Sequence, residues 1–289
     1  MKASRSEFLE LRCRRVHVRA WGPADAPTLF LLHGWMDVSA SFQFLVDALA
    51  REWHLIAPDW RGFGRSQWNN DAYWFPDYIA DLDALLGHYS PDHPARLIGH
   101  SLGGNAACLY AGIRPERVER LATLEGFGLH VSDPADAPDL YGKWLALLRA
   151  GPAGNRYADR AALARRLQGV NPRLSDERAA LLAQHLGEET ADGDIVVAAD
   201  PCHKLPSPIL YRLDDAKACW HRVAAPVLWV AARDSFIMKR FASAEGCADY
   251  RARIACFADI RVEMLEDAGH NMHHDQPERL AALIEDFFP

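Results

Sequence analysis

Leu97-Ile98-Gly99-His100-Ser101-Leu102-Gly103-Gly104-Asn105 is the stretch whose reading decides the fold. An apolar run from Ala95 to Ile98 leads into G-H-S-L-G, and small residues from Asn105 to Tyr110 follow. The pattern predicts a strand, a tight turn and a helix, with Ser101 on the turn. Glycines at 99 and 103 carry no Cβ, so strand and helix can approach closely while the serine is held in a strained conformation. The hydroxyl is then pushed clear of the backbone. The N-terminus of the following helix points free N–H groups at any negative charge that develops there. A G-x-S-x-G alone is also compatible with an ordinary glycine-rich turn. A nucleophile elbow, by contrast, demands an oxyanion loop upstream, then an acid and a histidine downstream.

The chain has 289 residues, enough for one large α/β domain or a domain with an insertion. Hydrophobic residues make up 49% and charged residues 25%, the balance of a soluble globular protein. A net charge of -7 with no basic stripe argues against nucleic acid or an anionic membrane as the main partner. No apolar stretch reaches the roughly 20 residues of a membrane span, and the first residues lack a secretory apolar core. The six cysteines show no C-x-x-C and no paired spacing, so they read as reduced thiols of a cytoplasmic protein.

Working outward, residues 7–21 alternate as an antiparallel pair of strands. Thr28–Leu32 is wholly apolar, as suits a strand covered on both faces, and runs into His33-Gly34-Trp35-Met36-Asp37. Ser39 is placed to cap a helix through Phe42, Leu45, Val46 and Leu49. A strand at His54–Ala57, a helix begun by Pro76, the elbow strand and a strand at Val118–Leu124 follow. Strands alternating with helices imply a mostly parallel sheet. From about residue 129 the pattern changes to turn-rich sequence and amphipathic helices, with strand character only at 195–199. The sheet resumes at Pro226–Ala232 and Ile260–Leu265, and Pro277 starts a last amphipathic helix.

The candidates for chemistry are the His33-Gly34 loop, Ser101, Asp234 and His270, each at the C-terminal end of an expected parallel strand, where open α/β sheets form their sites. The set is chemically coherent. A serine hydroxyl needs a base to take its proton, an imidazole does so near neutral pH, and a carboxylate orients the imidazole.

The stretches LFLLHGW (29–35), DWRGFGRS (59–66), LIGHSLGG (97–104), PVLWVAARD (226–234) and DAGHNMHHDQPE (267–278) resemble the α/β-hydrolase superfamily. Within it, they are similar to the branch of cap-bearing esterases, dehalogenases and epoxide hydrolases, and to its serine hydrolase-like members. That resemblance implies an eight-stranded, mostly parallel sheet flanked by helices, with residues 1–128 and 224–289 as the core and 129–223 as a helical cap. It implies Ser101 as nucleophile, His270 as base and Asp234 as acid, with Glu125 as the alternative acid. The backbone N–H groups of Leu102 and Trp35 would form the oxyanion hole, and His33, Gly34 and Phe127 would line the substrate pocket. The implied activity is cofactor-free hydrolysis of a small carboxylic ester or related acyl compound by a monomer or homodimer. A carbon–carbon bond hydrolase, a lactonase and a small-molecule receptor are the alternatives. His270, His273 and His274 have helical spacing, but no carboxylate or cysteine cluster completes a ligand set in the sequence, so no metal is expected. His100 is expected to pack against the elbow.

Overall fold

The computed structural model describes every residue except His130, which falls within the expected cap. Its first two strands, β1 (Ser4–Leu11) and β2 (Arg14–Trp21), form the antiparallel pair. Arg12 and Cys13 both take positive φ, 50° and 58°, as a two-residue hairpin turn matching the strand twist requires. Next come β3 (Thr28–Leu32), α1 (Gln43–Ala48), β4 (His54–Pro58), α2 (Phe75–Tyr89), β5 (Ala95–His100), α3 (Leu102–Ile113) and β6 (Val118–Leu124). The chain then leaves the sheet through α4 (Ala137–Ala150), β7 (Arg156–Tyr157), α5 (Arg160–Val170), α6 (Asp176–Leu186), β8 (Gly187–Glu189), β9 (Ile195–Val197) and α7 (Leu213–Trp220). It returns as β10 (Val227–Ala232), α8 (Phe236–Lys239), α9 (Ala244–Ile254), β11 (Ile260–Leu265), α10 (Met272–Asp275) and α11 (Pro277–Phe287).

Eight strands form one sheet in the order β1-β2-β4-β3-β5-β6-β10-β11. Pairings from β4 to β11 are parallel, and β1 and β2 are the antiparallel edge. Alternation along the central strands explains why both faces are covered. Phe30, Leu32, Leu97, Trp229 and Ala231 join a core with α2, α3 and α7. Leu29, Leu31, Ile98, Leu228 and Val230 join a second core with α1 and α11. Burying one such side chain contributes roughly 1.5–3 kcal/mol, which is why the central strands are unbroken apolar runs.

Two expectations need correcting here. Ser39 begins a short 3-10 turn before α1 and caps nothing; its hydroxyl is buried without a partner. Asp37, just before the turn, accepts from the Val38 N–H at 2.9 Å and the Ser41 hydroxyl at 2.8 Å, and no side chain caps the turn or α1. The segment between β6 and β10 is also less purely helical than expected: the strand character at 195–199 is β9, and β7 and β8 join it in a small antiparallel sheet. Strands of two or three residues are too short to show a period.

That segment lies against the loops at the C-terminal ends of the parallel strands. Gly64 N–H donates to Ala198 O at 2.7 Å, and Asp200 N–H donates to Gly62 O at 2.8 Å. His203 is stacked between the rings of Phe63 and Tyr73, with centroids 3.8 and 3.6 Å away. Arg178 donates to the His274 carbonyl, and Asn171 donates to Asp275 at 2.7 Å. Among the described residues, no helix is long and apolar enough to cross a membrane.

Candidate active site

Ser101 stands between the last residue of β5 and the first of α3, at φ 50° and ψ −110°. A non-glycine residue in that region costs on the order of 1–3 kcal/mol, and the surroundings hold it there. Ser101 N–H donates to Leu124 O at 2.9 Å, and Gly103 N–H donates to His33 O at 3.1 Å. A Cβ on Gly103 would lie 2.2 Å from Leu32 O, and one on Gly99 would lie 2.6 Å from Gly103, so only glycine permits this closeness. Leu102 is the first helical residue and its N–H has no intrahelical acceptor.

The loop after β3 presses onto the elbow. A Cβ on Gly34 would come within 3.3 Å of Ser101 Cβ and 2.8 Å of His100 Nδ1. Trp35 follows, half exposed, and Met36 takes φ 58°. His33 is fully buried. Trp60 N–H donates to its Nε2 at 2.9 Å, so Nδ1 carries the proton and donates to Gly34 O at 2.7 Å. Burial depresses its pKa, consistent with this neutral tautomer. His33 is therefore a clamp between two loops and not a pocket wall, contrary to expectation. Phe127 is likewise removed from the pocket, because it lies stacked on Trp229 at 4.3 Å in the core, 1% exposed. Of the three expected pocket residues, only Gly34 adjoins the serine.

His270 lies between β11 and α10. Its Nδ1–H donates to Glu125 Oε2 at 2.7 Å, and its carbonyl accepts from His100 Nε2–H at 2.9 Å. The rings of His100 and His270 are 4.7 Å apart, which brings His270 next to the elbow. Its one side-chain hydrogen bond is to Glu125 and none is made to Ser101. Such bonds are often long in free enzymes and tighten with substrate.

Asp234, the expected acid, makes no hydrogen bond to His270 among the described residues. Asp234 Oδ2 accepts from Arg173 at 2.6 Å in a half-exposed pair that ties the inserted segment to the core. Glu125 is 2% exposed and lies one residue beyond β6 at φ 55°. Its Oε1 accepts from Ala232 N–H at 3.0 Å, and its Oε2 accepts from the Ser235 hydroxyl as well as from His270. Strands β6 and β10 are neighbours, so a carboxylate at either end could face a histidine after β11. The longer glutamate reaches across β10, whereas Asp234 is drawn outward by Arg173. Chain order could not separate the two, since both lie between the serine and the histidine. Ser235 is the residue that sequence reasoning missed. A buried serine hydroxyl has no pattern, and only its partner gives it meaning.

Two cavities touch neighbouring segments through Asn105 and Met36, while Ser101, Glu125 and His270 line neither. One of about 600 Å³ is lined by Ile79, Asn105, Leu109, Leu129, Tyr211 and Trp220. Asn105 is one helical turn from the serine, its N–H donating to Ser101 O at 2.9 Å. The other, of about 440 Å³, is lined by Met36 and by Leu163, Leu167, Val197 and Ala199 of the inserted segment.

Comparison with known proteins agrees with this architecture. The chain is 29% identical over 303 residues to a serine hydrolase-like protein of Danio rerio, covering 99% of this chain and 89% of that one. It resembles the structure of a hypothetical protein from Pseudomonas aeruginosa PAO1 at 27% identity, covering 98% and 97% of the two chains with a TM-score of 0.83. A thioesterase domain from the curacin biosynthetic pathway has the same fold, with a TM-score of 0.83 at 23% identity over 98% and 99% of the chains. The sequence model of the alpha/beta hydrolase fold matches residues 27–277, and the chain belongs to that family.

Proposed function

We propose that the protein is a serine hydrolase acting on carboxylic esters or related acyl compounds through Ser101, His270 and Glu125. The observation that carries this reading is the 2.7 Å hydrogen bond from His270 Nδ1 to the buried Glu125 carboxylate, beside a serine held at an elbow. With Nδ1 occupied, the other ring nitrogen is left to serve as base. It takes the Ser101 proton as Oγ attacks the acyl carbon, and Glu125 stabilises the imidazolium that forms. The tetrahedral oxyanion is received by the N–H groups of Leu102, at the α3 N-terminus, and of Trp35, in the loop after β3. Collapse expels the alcohol, which takes its proton from His270, and a water activated by the same histidine releases the acid from Ser101. The apolar 600 Å³ cavity one turn from Ser101 suits the acyl chain. The relationship to a serine hydrolase-like protein supports the same chemistry.

The test is labelling by a fluorophosphonate probe, with p-nitrophenyl esters of increasing acyl length assayed in parallel. Wild type is expected to label and to turn over esters, and Ser101→Ala and His270→Ala are expected to do neither. A folded wild type that does not label would overturn the assignment.

A further inference from the structure

The expectation of no metal rested on His270, His273 and His274, which the sequence places on one helical face. The structure assembles a different set. Asp37, from the loop after β3, His100, from the end of β5, and His273, from α10, each offer one ligand atom, and these atoms lie within 4.8 Å of one another. All three residues are buried, at 9%, 2% and 0% exposure. They come from three segments far apart in sequence, so no spacing motif announces them.

Two of these side chains carry an unused ring nitrogen. His100 Nε2 faces the His270 carbonyl, which only accepts, so Nε2 carries the proton and Nδ1 presents a bare lone pair. That Nδ1 is buried without any partner, as is Nδ1 of His273. A buried polar nitrogen left unpaired costs about 1–3 kcal/mol, and such groups call for a ligand. The absence of a Cβ at Gly34, which would lie 2.8 Å from His100 Nδ1, keeps that nitrogen accessible. Asp37 supplies the carboxylate, with its Oδ2 3.8 Å from Nε2 of His273.

We propose that Asp37, His100 and His273 bind one first-row divalent transition metal, of the Zn²⁺ or Co²⁺ kind, behind the loop that carries His270. Two imidazoles and a carboxylate suit such ions better than Mg²⁺ or Ca²⁺. Ligand bonds of about 2.0–2.2 Å require the three atoms to draw in from their present spacing. The outer contacts are those a metal site needs. A ligating histidine commonly donates its other N–H to a backbone carbonyl, as His100 does to His270. The Asp37 carboxylate is oriented by Val38 N–H and the Ser41 hydroxyl.

The experiment uses the full chain, stripped with chelator and titrated with Co²⁺ and Zn²⁺. One equivalent of Co²⁺ is expected to give visible ligand-field absorption that Zn²⁺ displaces. The bands are expected to vanish in Asp37→Asn and in His273→Phe, which keeps the ring volume, and to persist in His270→Ala. Circular dichroism identifies the folded variants, and His273→Phe serves alone if Asp37→Asn does not fold. No binding to the wild type, or bands retained in folded His273→Phe, overturns the site. Bands lost in folded His270→Ala place the metal on the proposed base and overturn it equally. None of these readings depends on Ser101 being a nucleophile.

Discussion

Glu125 and His270, 145 positions apart in sequence, meet at 2.7 Å, while Asp234, the acid the family resemblance implied, pairs with Arg173. The contrast gives a direct test. Glu125→Gln removes the anion that fixes the His270 tautomer, and kcat is expected to fall by about 10³–10⁴-fold, as when a triad acid becomes an amide. Asp234→Asn breaks only an exposed pair worth about 0–1 kcal/mol and is expected to keep kcat within about threefold. Steady-state kinetics on the preferred ester decide between them. The reverse ranking would restore Asp234.

Ser235 shares Glu125 Oε2 with His270, and in the proposed mechanism it positions that carboxylate. Removing its hydroxyl leaves the carboxylate one donor short, and a hydrogen bond to a charged group is worth about 1.5–3 kcal/mol. Ser235→Ala is expected to lower kcat by about tenfold with KM unchanged, and Ser235→Thr to restore most of it. A change in KM alone would argue for a different role.

Gly103 tests the elbow by sterics. Alanine there would place a methyl 2.2 Å from Leu32 O, which is backbone and cannot swing aside. Overpacking of this kind costs about 1–3 kcal/mol or more. A Tm lowered by several degrees is expected, whereas Gly142→Ala, with nothing near its Cβ, is expected to leave Tm unchanged or higher.

His203 makes the docking of the inserted segment sensitive to pH. Burial between Phe63 and Tyr73 pushes its pKa down to about 4. The unfolded chain, with an ordinary value of about 6.5, binds this proton first. The contribution is therefore present above about pH 6.5 and is lost as pH falls towards 4. Limited proteolysis between residues 134 and 220 is expected to accelerate over that window, and His203→Phe is expected to flatten the dependence.

Asp59 acts at lower pH. Burial opposes its ionisation, but hydrogen bonds from His17 and the Arg65 N–H prevail and hold it at about 2. A carboxyl depressed in the fold stabilises above its unfolded value of about 4 and loses that contribution as pH falls to about 2. The shift corresponds to on the order of 2 kcal/mol. Urea midpoints measured from pH 5 to 2 are expected to fall less steeply in Asp59→Asn than in wild type.

Much of this protein was determined locally, because local order has local causes. The apolar run of Thr28–Leu32 and the six buried residues of Val227–Ala232 can only be strands covered on both faces. Gly99, Ser101 and Gly103 specify an elbow from backbone sterics alone. What depended on tertiary structure was every choice between residues that local chemistry leaves equal. Glu125 and Asp234 are both carboxylates at strand ends, and what separates them is that Glu125 reaches across β10 while Arg173 holds Asp234. His33 and Phe127 sit in the expected loops, but the direction of a side chain is set by its packing partners, and these turned both away from the serine. Asp37, His100 and His273 share no local pattern at all. The strand order sets β3 beside β5, and the chain after β11 carries His273 on α10 to the ends of those two strands.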